Sequence, residues 1–355
     1  MADVLTDEIR QVGLDHGLDA VGVAPAEPFE ETRALLEERK ASGLHGGMQF
    51  TYRNPRRSTD PRAVLAGARA LVVGARSYRV AGPDGPEGNQ PTARVARYSW
   101  RDHYADLRHA LGAVADRLTV DGWQAEVRAD DNALVDREAA YRAGIGWYGK
   151  SSNLLLPGKG SWFVLGAVVT DAPLEPAAQP VADGCGACHA CVDGCPTGAI
   201  VAPGVVAARR CLAWLVQAPG SFPVEFRAAL GDRIYGCDEC QEVCPPNRAL
   251  DRRHRAPPAV AGDEPWVDLV EVLEADDAEL LGRFGRWYIP DRQPRYLRRN
   301  ALVALGNTAH GDNPDVIRVL DAALASADPL IREHAQWAAD RLGRGQPVVP
   351  ASTPA

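Results

Sequence analysis

No stretch of this chain of 355 residues approaches the run of about 20 apolar residues that a membrane-spanning helix requires. Its N-terminus, MADVLTDEIR, lacks the basic and then apolar pattern of a secretory leader. Net positive charge is missing too: at −8 the chain repels polyanions, which excludes indiscriminate nucleic-acid binding but leaves room for a local basic face. The first 175 residues hold no dinucleotide fingerprint, in which G-x-G-x-x-G opens a helix and an acid follows at the usual distance, and no G-x-x-x-x-G-K-S/T phosphate loop. Nucleotide-linked hydride transfer and P-loop ATP chemistry are therefore unsupported. Cysteine is absent outside residues 185–244. Clustered thiols without a leader point to a reducing, cytoplasmic setting and against disulfides.

What is present is concentrated in those sixty residues, which carry all eight cysteines. Cys185, Cys188, Cys191, Cys195 and Pro196 read C-x2-C-x2-C-x3-C-P, the bacterial ferredoxin spacing for thiolates around an iron-sulfur cube. Cys237, Cys240, Cys244 and Pro245 repeat the motif one cysteine short, and Cys211 is the one remaining thiol. In two-cluster ferredoxins the cysteine before each proline crosses to the other cluster. Cys185, Cys188, Cys191 and Cys244 are thus expected to hold one 4Fe-4S cluster, and Cys237, Cys240, Cys211 and Cys195 the second. Tetrahedral zinc is the alternative, but it takes its ligands as two pairs, and the first run fits that poorly.

The chain around them reads as α+β. Val4, Leu5, Ile9 and Val12 fall at helical spacing, residues 20–26 read as a short buried strand, and a helix is expected over 29–40 with Leu35 and Leu36 on its buried side. The loop 43–61 is too rich in glycine and proline for regular structure and carries three arginines. A core strand at 68–78, a surface loop at 81–91 and a long amphipathic helix at 94–118, with Leu107, Leu111, Val114 and Leu118 inward, follow. Residues 123–171 alternate a strand, an acid-rich loop, a helix, a glycine turn and two strands, of which GSWFVLGAVVTD is expected at the centre of the sheet. A Pro- and Ala-rich linker spans 172–183. Beyond Cys244, residues 248–265 lack apolar periodicity, and helices resume at 266–282, 295–307, 314–324 and 329–342. Similar helices about 34 residues apart suggest a short helical-repeat array.

Two clusters alone would make a small electron carrier, and the remaining length asks for a substrate. ADDNALVDRE places Asp130, Asp131, Asp136 and Glu138 between a strand and a helix. Asp131 and Asp136 are placed to cap that helix. Asp130 ends the strand, where a carboxyl group would face a cleft and donate a proton to a substrate oxygen.

CGACHACVDGCPTGAI, then ARRC and RIYGCDECQEVCPPN, with NPRRSTDP, ARYSWRDHY, ADDNALVDREAAYRAGIGWYGK and RRNALVALGN in order, resemble the epoxyqueuosine reductases over nearly the whole chain. These are cobalamin-dependent iron-sulfur enzymes that finish the queuosine base in tRNA. The resemblance implies a nitroreductase-like cobalamin and catalytic domain over 1–175, a ferredoxin-like two-cluster domain over 176–255, HEAT-like helical repeats over 256–345 and a flexible tail over 346–355. It implies that Asp130 is the general acid, and that Arg57, Tyr98, Asp130, Asn153, Leu154, Gly166 and Asp238 contact cobalamin. The partners it implies are the tRNA anticodon arm, gripped by the helical repeats and basic loops, and a low-potential donor such as ferredoxin or flavodoxin; a monomer is expected. The chain departs from the family at Asp131 and Ala133, where the family has Thr or Ser and then proline, at Ser58, where it has arginine, and at Asp102, His103 and Tyr104, where it has Asp-Tyr-His. A second charge beside Asp130 would raise its pKa.

Residues 283–299 contain six arginines against Asp291 alone, with Trp287, Tyr288 and Tyr296 interleaved. Arg292, Arg295, Arg298 and Arg299 are expected to bind RNA through phosphate contacts and neighbouring aromatic stacking; a solvated helix face with buried aromatics is the alternative. Other readings of the whole chain are a corrinoid reductase of a small molecule, dehalogenase-like, and an electron-transfer protein with no substrate of its own.

Overall fold

The computed structural model describes residues 2–82, 85 and 90–344; the tail at 346–355 and part of the 81–91 loop lie outside the described residues. Its contacts divide into two compact units, one drawn from residues within 1–82, 100–211 and 238–263, the other from 83–99, 212–237 and 264–355. Three consecutive domains with cuts near 175 and 255 are not how the contacts divide. Strand pairing gives the reason. Thr92–Val95 lies between Arg233–Tyr235, to which it is parallel, and Trp266–Asp268, to which it is antiparallel. The expected helix over 94–118 accordingly begins later, at His103, where the Asp102 carboxylate accepts from the Ala105 amide at 2.9 Å.

The first unit is built on a four-stranded sheet in the order Ala20–Pro25, Ala70–Ser77, Phe163–Thr170, Ala125–Ala129, antiparallel throughout. As the apolarity of GSWFVLGAVVTD indicates, Phe163–Thr170 is an interior strand. Val72, Val73, Val168 and Val169 are all fully buried, because helices cover both faces and neither can be polar. Ala2–Asp15 and His103–Val120 pack together on one face, with Leu107, Leu111, Val114 and Leu118 inward. Asp136–Arg142 packs on the other, around Leu71, Val73, Leu134 and Ala139. Leu36 is buried as expected, but Leu35 is exposed, and so is Val4. The glycine-rich loop is not wholly irregular: Asn54 caps the short helix Pro55–Ser58, whose first position is proline. Likewise Pro245–Arg253 is helical where a loop was expected from 248 onward. It is too polar to show a periodic pattern, yet proline at its first position and arginine, alanine and leucine after it favour a helix.

In the second unit the helices Arg295–Thr308, Pro314–Leu324 and Pro329–Arg341 fall where periodicity predicts them. Residues 266–282 form the strand Trp266–Asp268 and two short helices, Leu269–Glu274 and Asp277–Phe284. Gly306 lets the first and last of the three longer helices touch, since a Cβ there would lie 2.9 Å from the Ala338 Cα. No helix among the described residues is long and apolar enough to cross a membrane.

Candidate active site and iron-sulfur region

Asp130 sits where the strand Ala125–Ala129 gives out, one residue past the Ala129–Gly166 pair, with φ at +56°. A non-glycine residue in this left-handed region costs on the order of 1–3 kcal/mol and persists only where its surroundings hold it. They do so here from both sides. The Asp131 carboxylate accepts from the Ala133 amide at 2.6 Å, and the Asn132 side-chain oxygen accepts from the Thr51 amide at 2.9 Å. Asp131 thus closes the turn instead of capping the helix. Asp136 is the first helical residue, and Val135 at the cap position offers no side-chain bond. The capping expected of these two acids is therefore corrected: they crowd the acid loop. The Asp130 carboxyl is pushed up by partial desolvation, against the pull of Arg108, with Asp102 and Asp131 adding to the rise. Asp136 is pushed well above the usual carboxylate range by burial and by the charges of Asp131 and Asp130.

At the same end of the sheet the second cysteine motif is bolted on by buried amides. The Asn247 side-chain oxygen accepts from the Ser161 amide at 2.8 Å, and its nitrogen donates to the Ser161 hydroxyl and the Gln241 carbonyl. Gln241 donates to the Ser161 carbonyl at 2.9 Å and to the Tyr78 hydroxyl at 3.0 Å. Tyr78 is buried edge-on to Trp162, and burial, Asp238 and Cys240 raise its pKa while Gln241 and Arg137 lower it. It lines a cavity of about 560 Å3 with Arg79, His103, Lys159 and Phe163.

The thiols separate by environment. Cys191 is raised by burial and by Cys185 and Cys188. Cys244 is pushed up to about 11 by burial and by Cys185, Cys191 and Cys188. Cys185, Cys188 and Cys191 therefore lie close enough to Cys244 for their charges to act on its thiol. Their two short helices, Ala190–Asp193 and Glu239–Glu242, pack closely: a Cβ on Gly194 would meet Val243 at 2.9 Å. Cys195 behaves oppositely. Burial works against its thiolate, but amides of Thr197, Ala199 and Ile200 and the Thr197 hydroxyl outweigh it and lower the pKa. Thr197 also donates to the Arg210 carbonyl and accepts from the Arg210 guanidinium, which brings the Cys211 segment to Cys195.

Residues 184–247 match the family described as 4Fe-4S double cluster binding domain. The chain is 33% identical over 335 residues to an epoxyqueuosine reductase of Bacillus anthracis, covering 92% of this chain and 86% of that one. It is 33% identical over 342 residues to the one from Vibrio cholerae, covering 94% and 91%. The chain belongs to the epoxyqueuosine reductase family. A crystal structure of an epoxyqueuosine reductase with an epoxyqueuosine-modified tRNA-Tyr stem loop superposes with a TM-score of 0.86 at 30% identity, over 96% of this chain and 90% of that one. The Streptococcus thermophilus enzyme gives 0.85 at 28% identity, over 96% and 91%. The family is one of oxidoreductases, of mixed α/β fold with a double-cluster domain.

Against that family the expected cobalamin residues scatter. Asp130, Asn153 and Asp238 lie in the first unit, with Asp238 felt by Tyr78 and the Asn153 amide 3.6 Å from the Cys240 sulfur. Leu154 is buried in the short hairpin beside it. Gly166 is inside the sheet, paired with Ala129, where a Cβ would strike Leu111 at 2.8 Å. Arg57 is exposed on the short helix Pro55–Ser58. Tyr98 belongs to the second unit, where its hydroxyl accepts from Gln217 at 3.2 Å.

The RNA-binding arginines need correction. Arg299 is fully buried and donates to the carbonyls of Leu215, Val216, Ala218 and Gly220, so no nucleotide can reach it. Arg298 pairs with Asp277 at 2.6 Å and Arg295 with Asp328 at 3.4 Å. Arg283 pairs with Glu264 and Glu271, and Arg286 with Glu264. Trp287 is buried in a stack with Tyr235 at 4.4 Å, and Tyr296 is buried too; Arg292 and Tyr288 remain exposed. The compensated helix face with buried aromatics is the better description. Tyr78, Gln241 and Asn247 went unnoticed in the sequence, although Gln241 and Asn247 lie inside the run CDECQEVCPPN; a buried amide between two ligand cysteines was the available signal.

Proposed function

We propose that this chain reduces epoxyqueuosine to queuosine in tRNA, with two 4Fe-4S clusters delivering electrons and Asp130 delivering a proton. The observation that carries it is Asp130 itself: an acid at the family's expected position, fixed in a left-handed turn and with its pKa raised. Removing the epoxide oxygen as water takes two electrons and two protons. Asp130 gives one proton to the leaving oxygen, and the rise in its pKa favours the protonated form that this step needs. The charges of Asp102 and Asp131 discourage its ionisation. Cys185, Cys188, Cys191 and Cys244 hold one cluster, and Cys195, Cys211, Cys237 and Cys240 the other.

Cobalamin fits the first unit on one observation. The partly buried Asn153 amide has only long contacts, 3.4 Å to Ser151 and 3.6 Å to Cys240, so it is available to a ligand rich in amides. Asn153, Leu154, Asp130, Arg57 and Asp238 would hold it, and when bound it supplies a two-electron reductant. Tyr78 stays a neutral phenol, and its bonds to Gln241 fix the Cys240 segment to the sheet. The same reading makes the sheet layer nitroreductase-like and the C-terminal helices HEAT-like. It takes the anticodon arm as substrate and a low-potential ferredoxin or flavodoxin as donor to a monomeric enzyme in the cytoplasm.

The test is anaerobic turnover of an epoxyqueuosine-modified stem loop by protein reconstituted with iron, sulfide and cobalamin. Conversion is expected in the wild type, and Asp130→Asn should keep the cluster spectrum while losing most turnover. A reconstituted wild type that leaves the modified base unchanged refutes the proposal.

A further inference from the structure

With Arg283, Arg286, Arg295 and Arg298 paired to acids and Arg299 buried, Arg292 alone of the described C-terminal arginines in 283–299 is left exposed without an acid, too little for an acidic chain to hold RNA phosphates. Residues 49–62 carry Arg53, Arg56, Arg57 and Arg62 against Asp60 alone. All four arginines are exposed. The Asp60 carboxylate does not answer them, because it accepts from the Arg62 backbone amide at 3.0 Å. None of the four guanidinium groups bonds to a described residue, whereas Arg76, Arg101, Arg108, Arg117, Arg128 and Arg142 of the same unit each face an acid. This segment is also anchored. Thr51, at φ +58°, donates its amide to Asn132 in the acid loop, the Ser58 hydroxyl donates to the Thr51 carbonyl at 2.9 Å, and the Ser58 carbonyl accepts from Val135. Phe50, beside the anchor, is 40% exposed.

We infer that Arg53, Arg56 and Arg62 of the 49–62 segment are the phosphate-binding element for the substrate RNA, held in register with Asp130 by the Thr51–Asn132 bond. The inference rests on the proposed function and names the surface that serves it. Four uncompensated cations within ten residues give a locally positive field on a chain of −8, and a planar guanidinium matches a phosphate through two parallel hydrogen bonds. Phosphate contacts position the nucleic acid without reading sequence. Because the two loops share hydrogen bonds, RNA backbone seated on this segment brings its unpaired bases to the acid. Phe50 offers an apolar face on which one such base would stack.

The experiment measures binding of the full-length, cluster-loaded protein to a synthetic tRNA-Tyr anticodon stem loop, with and without epoxyqueuosine, across a salt series. Replacing Arg53, Arg56 and Arg62 together by alanine should make the log–log salt dependence shallower by about 2, hence about 100-fold weaker binding at ~0.1 M salt, and equally so for modified and unmodified loops. Arg56→Glu alone, at an exposed position, should shift affinity the same way and guards against a folding defect in the triple variant; iron content and circular dichroism should stay unchanged in both. Wild type that binds, with variants that match it in affinity and slope, overturns the inference and leaves the proposed function standing. Wild type that ignores both stem loops even at low salt overturns the two together.

Discussion

Asp130 and Asp136 have carboxyl groups raised above their ordinary range, and the sign of each shift decides what pH does. A raised carboxyl favours the protonated form in the folded state. Its stabilising contribution is present below the unfolded pKa, near pH 4, and is lost as pH rises through the folded value. Ionising the buried Asp136 as pH rises therefore costs stability. Asp136→Asn should raise the melting temperature at neutral pH, with the gain vanishing toward pH ~4 where the wild-type acid is protonated anyway; thermal melts of both proteins over that range decide it. Catalysis follows the same sign. Turnover should decline on the alkaline side as Asp130 ionises, and Asp131→Asn, which removes a charge that raises Asp130, should move that decline to lower pH. A pH–rate profile unaltered by Asp131→Asn would show that the neighbouring charge does not govern the acid. The candidate acid was legible in the sequence because a strand end followed by acids is a local pattern. The left-handed turn was not, because Thr51 and Ser58, which hold it, lie more than seventy residues earlier in the chain.

The helix Arg295–Thr308 shows how the same reasoning fails one level up. Its arginines look like an RNA-binding face when read as charge, but Ala301, Leu302, Val303, Ala304 and Leu305 are all fully buried, so the helix is enclosed on nearly every side. An arginine on it must find partners inside. Arg299 does so by ending the segment Leu212–Gly220 with its five donors, and burial pulls its pKa down to about 10. The five consecutive apolar residues after Asn300 were the visible warning, since an amphipathic surface helix would have broken them with polar ones. Arg299→Ala leaves buried carbonyls without donors and should destabilise the fold by about 3–5 kcal/mol. Arg299→Lys should recover little, because an ammonium cannot reach all four carbonyls at once. Chemical denaturation with an unchanged m-value would measure both, and a loss below about 1 kcal/mol would mean the carbonyls find water instead.

Across the whole chain, what sequence spacing reveals is chemistry that depends on short-range order. The ferredoxin runs, the central apolar strand and the three C-terminal helices were all legible for that reason. The antiparallel order of the sheet and the interleaving of two units depend on pairings such as Thr92–Val95 with Trp266–Asp268, which no local pattern records. Cys211 lies between these cases. It belongs to no motif of its own, and only the missing fourth ligand of the second run pointed to it. Its neighbourhood now supports the assignment, since the bonds between Thr197 and Arg210 tie its segment to the low-pKa thiol of Cys195. Cys185, Cys188, Cys191 and Cys244 form a separate group, coupled to one another. The two sets should therefore fail independently. Cys211→Ser should lower the iron content of anaerobically reconstituted protein from about eight to about four per chain and leave one 4Fe-4S signal in the EPR spectrum of the reduced protein. Cys244→Ser should do the same to the other cluster, with a spectrum different from that of Cys211→Ser. If both variants lost the same signal, Cys244 and Cys211 would serve one cluster, and the crossing of ligands between the two motifs would be wrong.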